Sequence, residues 1–319
     1  MVTLPEVEDA HSRIKPHIRR TPTVLFAPLR EPLPYRIWLK CENLQVTGSF
    51  KARGAVNRIA SLAAEEVSRG IITASGGNHG LGVAYAARLR GVVPTVYVPE
   101  RADESRRERL RRWGAQVIAE GRDWDDAYEA AAAESKRTGA TLIHPFDDPW
   151  VIAGQGTAMS EFLDDCPERL DAVIAGIGGG GLISGIAVCS KARSPRIAVI
   201  GAEPAGAASM TASIQAGKLV ELPQVTSIAD TLSPRRVGPL TLDICRRMVD
   251  RVVVIDDIDM INAMRALWEE FNLLVEPSAA AGLAALTTGK AGLPSGSCVG
   301  LVVSGGNIDA RPALDRFRL

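Results

Sequence analysis

The chain has 319 residues with 37 basic and 37 acidic side chains, so its formal net charge is zero. That balance argues against a polyanion binder, which carries a basic excess, and 46% hydrophobic residues exclude a disordered chain. At roughly 150 residues per domain the length suggests about two domains.

The five cysteines, Cys41, Cys166, Cys189, Cys245 and Cys298, are scattered, odd in number and form no C-x-x-C pair. They read as reduced thiols, and the expected compartment is the cytoplasm. The N-terminus lacks a basic flank followed by an apolar stretch, so no signal peptide is expected. The uncharged run from Ala172 to Ser190 is nearly long enough to span a bilayer. Four consecutive glycines break it, and it reads instead as a strand, a loop and a helix. Neither membrane nor nucleic acid is expected as a partner.

Taken in order, the chain alternates short β-like runs with longer helical ones. Lys51 to Leu62 reads as a helix that follows the turn-forming Thr47-Gly48-Ser49. Gly70 to Ala74 is a strand, Ser75-Gly76-Gly77-Asn78 a loop, and Leu81 to Leu89 a helix. Val92 to Val98 is a strand, Asp103 to Trp113 a helix stopped by Gly114, and Ala115 to Ala119 a strand. The arginines at 106, 107, 109, 111 and 112 are interleaved with Asp103, Glu104 and Glu108, which describes a solvated helix face. An alanine-rich helix over Asp123 to Arg137 leads to a strand at Thr141 to Ile143.

The second half keeps the rhythm. Strands are expected at Ala172–Ala175, Ile197–Ile200, Arg251–Ile255 and Cys298–Val303, with helices over Asp257–Phe271 and Ser278–Leu286. The pattern predicts an α/β protein of mostly parallel sheets covered by helices on both faces, in two three-layer αβα domains. Residues 52–147 are expected to form the smaller domain, and residues 1–51 with 148–319 the larger one.

Two local features carry chemistry. The strand at 172–175 runs into Gly176-Ile177-Gly178-Gly179-Gly180-Gly181 and then a helical segment. Glycines let backbone amides approach an anion, and a helix N-terminus adds positive potential, so a phosphate group fits there. The same loop satisfies G-x-G-x-x-G, and Glu203 ends the next strand, so a nicotinamide-dependent dehydrogenase is a rival reading. Second, the chain holds only seven lysines against thirty arginines. One of them, Lys51, opens a helix, where partial desolvation and the positive end of the helix lower an amine pKa. Such an amine can form a Schiff base with an aldehyde.

Thr47-Gly48-Ser49-Phe50-Lys51-Ala52-Arg53-Gly54-Ala55 closely resembles the lysine segment of the serine/threonine dehydratase and serine racemase family, pyridoxal-phosphate enzymes of fold type II, whose fold is of the tryptophan synthase β kind. Three further segments match in order: Ser75-Gly76-Gly77-Asn78-His79-Gly80, Gly178 to Gly181, and Ser304-Gly305-Gly306-Asn307. His144 to Pro149 and Ala153 to Thr157 are also similar, and the resemblance runs from about residue 15 to 310. The dehydrogenase reading leaves the segments at Lys51, Asn78 and Ser304 unexplained.

The resemblance implies pyridoxal 5'-phosphate as cofactor and assigns roles by position. Lys51 would hold the cofactor covalently and move the substrate Cα proton, and Phe50 would lie against the cofactor ring. Asn78 would bond the ring hydroxyl, and Gly178, Gly179, Gly180 and Gly181 with the amide of Leu182 would hold the phosphate. Ser75, Gly76, Gly77 and His79 would present donors to the substrate carboxylate. Ser304 would face the ring nitrogen; a neutral hydroxyl protonates that nitrogen less readily than an aspartate, which favours expelling a β-substituent.

The implied activity is conversion of a β-hydroxy amino acid, threonine or serine first, to a 2-oxo acid and ammonia. Hydroxyaspartate, phenylserine or a hydroxyectoine-derived substrate are alternatives, racemisation comes after these, and a homodimer is the implied assembly. Three departures stand out. The racemase branch carries a second serine where this chain has Gly76, so racemisation is not expected. The family's metal site falls on Glu203, Ala207 and Ser209, where a serine replaces an aspartate, and tight metal binding is not expected. The sequence given also ends soon after Asn307, so no amino-acid-sensing regulatory domain is expected.

Overall fold

A computed structural model describes residues 2–317. Its first half runs α1 (Leu4–Ile14), β1 (Thr23–Phe26), β2 (Arg36–Cys41), α2 (Lys51–Ala60), α3 (Ala64–Ser68), β3 (Ile71–Ala74), α4 (Asn78–Leu89), β4 (Thr95–Val98), α5 (Glu104–Arg112), β5 (Gln116–Ala119), α6 (Trp124–Thr138) and β6 (Thr141–Leu142). The second runs α7 (Pro149–Asp165), β7 (Ala172–Gly176), α8 (Gly181–Arg193), β8 (Ala198–Pro204), α9 (Ser209–Ala216), α10 (Pro239–Met248), β9 (Arg251–Ile255), α11 (Asp257–Phe271), α12 (Pro277–Thr287), β10 (Cys298–Val303) and α13 (Ala310–Arg316).

Two sheets result. The larger has strand order β1-β2-β10-β7-β8-β9 and the smaller β5-β4-β3-β6. All pairings are parallel except β1 with β2. Side chains on β7 and β10 alternate between two cores, as the two-residue period of a strand requires. Ala172, Ile174, Val299, Leu301 and Val303 join the core beneath α11 and α12. Val173, Ala175, Cys298 and Val302 join the one beneath α7, α8 and α10. This is the three-layer arrangement expected of strands buried on both faces.

The expected strands and helices recur with modest shifts, and three differences matter. Helix α4 begins at Asn78 rather than Leu81, so Asn78 and His79 occupy a first helical turn and not a loop. Strand β8 extends to Pro204, which places Glu203 inside the sheet. Helix α7 was not anticipated: it is buried around most of its circumference and shows no amphipathic stripe. Its start was nonetheless marked, with Pro149 in the first turn and the Asp148 carboxylate accepting from Val151 N at 3.0 Å. The run 172–190 divides into β7, a glycine turn and α8, and no helix among the described residues is long and apolar enough to cross a membrane.

A buried ionic knot fixes α2 to α7 and to the segment after β2. Arg53, fully buried, uses all five guanidinium N–H groups. Nε and Nη2 donate to Glu42 at 2.8 Å each, Nη1 to Thr157 Oγ1 at 3.1 Å and Glu161 Oε1 at 2.9 Å, and Nη2 also to Glu161 Oε2 at 2.7 Å. Lys40 Nζ, also buried, donates to Glu161 at 3.0 Å and to the Thr21 carbonyl at 2.8 Å. Two cations meet two carboxylates, so the knot is neutral. Burial pushes the Arg53 pKa down, but Glu42 and Glu161 outweigh it and hold the guanidinium charged. Removing one partner strands the others, which costs about 3–5 kcal/mol. Arg53→Ala should therefore lower unfolding stability by about that amount in urea denaturation, whereas a loss below about 1 kcal/mol would mean that the knot does not hold α2.

Candidate active site

The first turn of α2 is held by a pairing that no local pattern shows. Thr47 and Gly48 adopt positive φ values of 67° and 77°. A Cβ on Gly48 would come within 2.5 Å of Asn307 Oδ1, so only glycine admits the contact. Ser49 then bridges Gly305, Phe50 N donates to the Ser304 carbonyl at 3.1 Å, and Gly306 N to the Gly48 carbonyl at 2.9 Å. The segment 304–307 thus clamps the residues before Lys51, and Ser304 is buried at the end of β10 beside it.

Lys51 Nζ donates to the Pro145 carbonyl at 2.7 Å and lies 5.1 Å from the centroid of the Phe50 ring. No carboxylate of the described residues pairs with it. Burial lowers its pKa from the ordinary 10.5 to about 8. Helix α4 crosses close behind, where a Cβ on Gly82 would meet the Lys51 carbonyl at 3.0 Å.

Asn78, at the head of α4, is buried, and its Nδ2 donates to both oxygens of Glu276 at 2.9 Å. Its Oδ1 accepts from Asn307 Nδ2 at 2.7 Å, and Asn307 N donates to Glu276 Oε1 at 2.9 Å. Glu276 is buried and capped by neutral donors, and burial raises its pKa. The half-buried Ser75, Gly76 and Gly77 precede α4, and nothing lies within 4 Å of a Cβ built on Gly77. Because the first α4 bond is Leu81 N to the Gly77 carbonyl, amides of the preceding turn lack helical partners. The His79 ring turns inward instead, with Nε2 3.2 Å from the Ile143 carbonyl and Nδ1 buried without a partner.

The glycine loop joins β7 to α8. Gly180 has φ 92°, and the first α8 bond is Ser184 N to the Gly180 carbonyl, so the amides of Gly181, Leu182 and Ile183 have no helical acceptor. The Phe146 ring rests on this loop so closely that a Cβ on Gly179 would lie 2.2 Å from it. Thr241 Oγ1 donates to the Gly179 carbonyl at 2.8 Å. Close packing therefore accounts for part of the glycine content.

Comparisons of the whole chain with known proteins agree with this geometry. The family model described as "Pyridoxal-phosphate dependent enzyme" matches residues 14–305. The chain belongs to that family. It is 40% identical to an L-threonine ammonia-lyase of Thermotoga maritima over 99% of this chain and 78% of that one. It is 39% identical to a serine racemase of Arabidopsis thaliana over 98% of this chain and 95% of that one. Among solved structures, a threonine deaminase of T.th. superposes with a TM-score of 0.91 at 39% identity, covering 97% of this chain and all of the other. The fold is that of fold type II pyridoxal-phosphate enzymes.

The residues present fit the family's cofactor. A lysine amine without a counter-ion suits a covalent bond to an aldehyde, the open amides at α8 suit a phosphate, and the polar groups of Asn78 and Ser304 lie near the same clamp. By contrast, both Glu203 oxygens serve α9: Oε1 accepts from Met210 N at 2.7 Å, and Oε2 from Thr211 N at 2.8 Å and Thr211 Oγ1 at 2.7 Å. Burial raises its pKa to about 7. Ala207 and Ser209 are buried nearby, Ser209 Oγ has no partner, and no cluster of three His, Cys, Asp or Glu arranged for a metal occurs among the described residues. Glu276 and the Pro145 carbonyl were missed from the sequence. The only local signal at Glu276 is its place before Pro277 at the start of α12.

The lowered Lys51 value has a consequence for the cofactor-free protein. Between about 8 and 10.5 the unfolded chain holds the lysine proton and the folded one does not, so this group's contribution to stability rises with pH across that window. The stability gap between Lys51→Met and the wild type, both without cofactor, should be widest below pH 8 and shrink towards pH 10.5. Urea denaturation of both proteins along that range checks it, since other titrating groups cancel in the difference. A gap independent of pH would contradict the lowered pKa.

Proposed function

We propose that this chain is a pyridoxal-phosphate-dependent ammonia-lyase that converts a β-hydroxy amino acid, threonine or serine, to a 2-oxo acid and ammonia. The observation that carries the reading is the half-buried Lys51 amine, which donates to a carbonyl, has no carboxylate partner among the described residues, and has its pKa lowered to about 8 by desolvation. The 40% identity to an L-threonine ammonia-lyase supports the choice of reaction.

When bound, the cofactor supplies an electron-withdrawing ring that acidifies the substrate Cα–H bond. Lys51 holds the cofactor at rest and, once free, accepts the Cα proton on Nζ. A pKa near 8 leaves a useful fraction of the amine unprotonated near neutral pH. The amides around Ser75, Gly76, Gly77 and His79 bind the substrate carboxylate at the head of α4, where the helix favours an anion. Gly178 to Gly181 and the amide of Leu182 hold the phosphate, Asn78 the ring hydroxyl, and Phe50 lies against the ring. Ser304 offers the ring nitrogen a neutral hydroxyl, which favours loss of the β-hydroxyl over long-lived charge on the ring. Loss of water from the substrate and its later return leave the 2-oxo acid and ammonia.

Gly76 separates this reading from racemisation, which needs a second acid–base group on the opposite ring face. The site has room for one, because the nearest atom to a Cβ on Gly76 is Val98 Cγ1 at 3.8 Å. The reading extends to a homodimer, a cytoplasmic setting and a smaller domain over residues 52–147.

Borohydride reduction followed by peptide mass spectrometry should find the cofactor on Lys51, and Lys51→Ala should lose both the adduct and at least about 10³-fold in 2-oxo acid formation. Appreciable turnover by that variant would refute the assignment. Across a panel of β-hydroxy amino acids, threonine or serine should have the highest kcat/KM. Gly76→Ser should gain α-hydrogen exchange from the second face, and exchange from both faces in the wild type would favour a racemase.

A further inference from the structure

His144 lies one residue beyond the buried Ile143 that follows β6, outside every role assigned above. Its Nδ1 accepts from two backbone amides, Asp147 N at 2.8 Å and Phe146 N at 3.2 Å. The ring curls residues 144–147 into a turn, as the Oδ1 of an asparagine does in an Asx turn. Two donors on Nδ1 require a lone pair there, so the ring is neutral and carries its proton on Nε2. Burial, with the positive charges of Lys51 and Arg236 nearby, agrees by lowering the ring pKa to about 4. The ring stands edge-on to Phe146, with centroids 4.6 Å apart at 87°, and to Tyr128 at 5.5 Å and 77°.

The turn carries two groups of the site. Its second residue, Pro145, supplies the carbonyl that accepts from Lys51 Nζ at 2.7 Å. Its third, Phe146, lays its ring on Gly179 and its backbone against Gly181. The preceding carbonyl, that of Ile143, is held by Thr73 Oγ1 at 2.9 Å and faces His79 Nε2 at 3.2 Å. One side of the turn is thus tied to β3 and α4, and the other is closed by the His144 ring.

We propose that His144 is a positioning residue, whose Nδ1 lone pair holds the turn that sets the Pro145 carbonyl on Lys51 and Phe146 on the glycine loop. It touches neither substrate nor cofactor in this role; it acts through its two neighbours. Its functional meaning rests on Lys51 as the cofactor lysine.

Asparagine and alanine separate the acceptor from the rest of the ring, because Asn Oδ1 stands at the same bonded position as His Nδ1 and alanine has no acceptor. In cofactor-free protein, hydrogen exchange at the Phe146 and Asp147 amides should speed up at least about tenfold in His144→Ala and stay near wild type in His144→Asn. Affinity for added pyridoxal phosphate, read by absorbance, should fall about tenfold in His144→Ala and return to within about threefold in His144→Asn. In the loaded enzyme, kcat should fall more than KM rises in the alanine variant. Protected amides and wild-type affinity in His144→Ala would overturn the proposal. So would a His144→Asn variant as impaired as the alanine one, which would move the role to Nε2–H or to the ring face. Should His144→Ala not fold, amide protection in His144→Asn decides alone. Amide exchange is read without cofactor, so it is independent of the Lys51 reading, whereas a wild type that takes up no pyridoxal phosphate would overturn that reading instead.

Discussion

The site is organised around one uncompensated cation. Lys51 is half-buried beside an aromatic ring and has a carbonyl, not a carboxylate, as partner. A carboxylate in that place would hold the amine protonated through the neutral range and deny it both nucleophilic and basic work. The surrounding charges are arranged so that none reaches it. Glu42 and Glu161 are bound to Arg53 and Lys40 in a neutral knot, and Glu276 is satisfied by Asn78, Asn307 and hydroxyl groups.

Position is set with the same economy. The residues before Lys51 are clamped by the segment that follows β10, the residues after it are bolted to α7 through Arg53, and its amine meets the turn that follows β6. Two regions far from Lys51 in the chain, residues 145–161 and 304–307, thus fix one side chain. The neighbouring helix starts at α4 and α8 leave amides open on two further sides, which suits a ligand carrying a phosphate and a substrate carrying a carboxylate. In the proposed function, serine at 304 and glycine at 76 would bias such a site towards elimination from one face.

Much of this could be read from the chain. The fully buried β10 and the apolar edge strand β9 both wrote themselves as continuous apolar runs, and they and the helix α11 sit where the pattern placed them. The segments holding Lys51, Asn78, the four glycines and Ser304 stood out because they resemble those of a known family and occur in the right order, and the structure joins the Lys51 and Asn78 segments through residues 304–307. What escaped was of a different kind. The Lys51–Pro145 bond joins a side chain to a backbone carbonyl 94 positions away, and such an acceptor has no residue-type signature. Glu276 reads locally as a helix cap, and only the fold brings it to Asn78, 198 positions distant. Helix α7 has no polar face for a periodicity to reveal. Glu203 shows the reverse limit: its place after a glycine loop suggested a ribose ligand, while its oxygens lie on the first amides of α9.

Desolvation, with no counter-ion to offset it, lowers the pKa of the half-buried Lys51 amine to about 8. Selective ¹³C labelling of the lysine ε-carbons, with Lys51 assigned by its substitution, allows that amine to be titrated directly in the cofactor-free protein. A midpoint near 8 is the expected result, and a midpoint at the ordinary 10.5 would contradict the account.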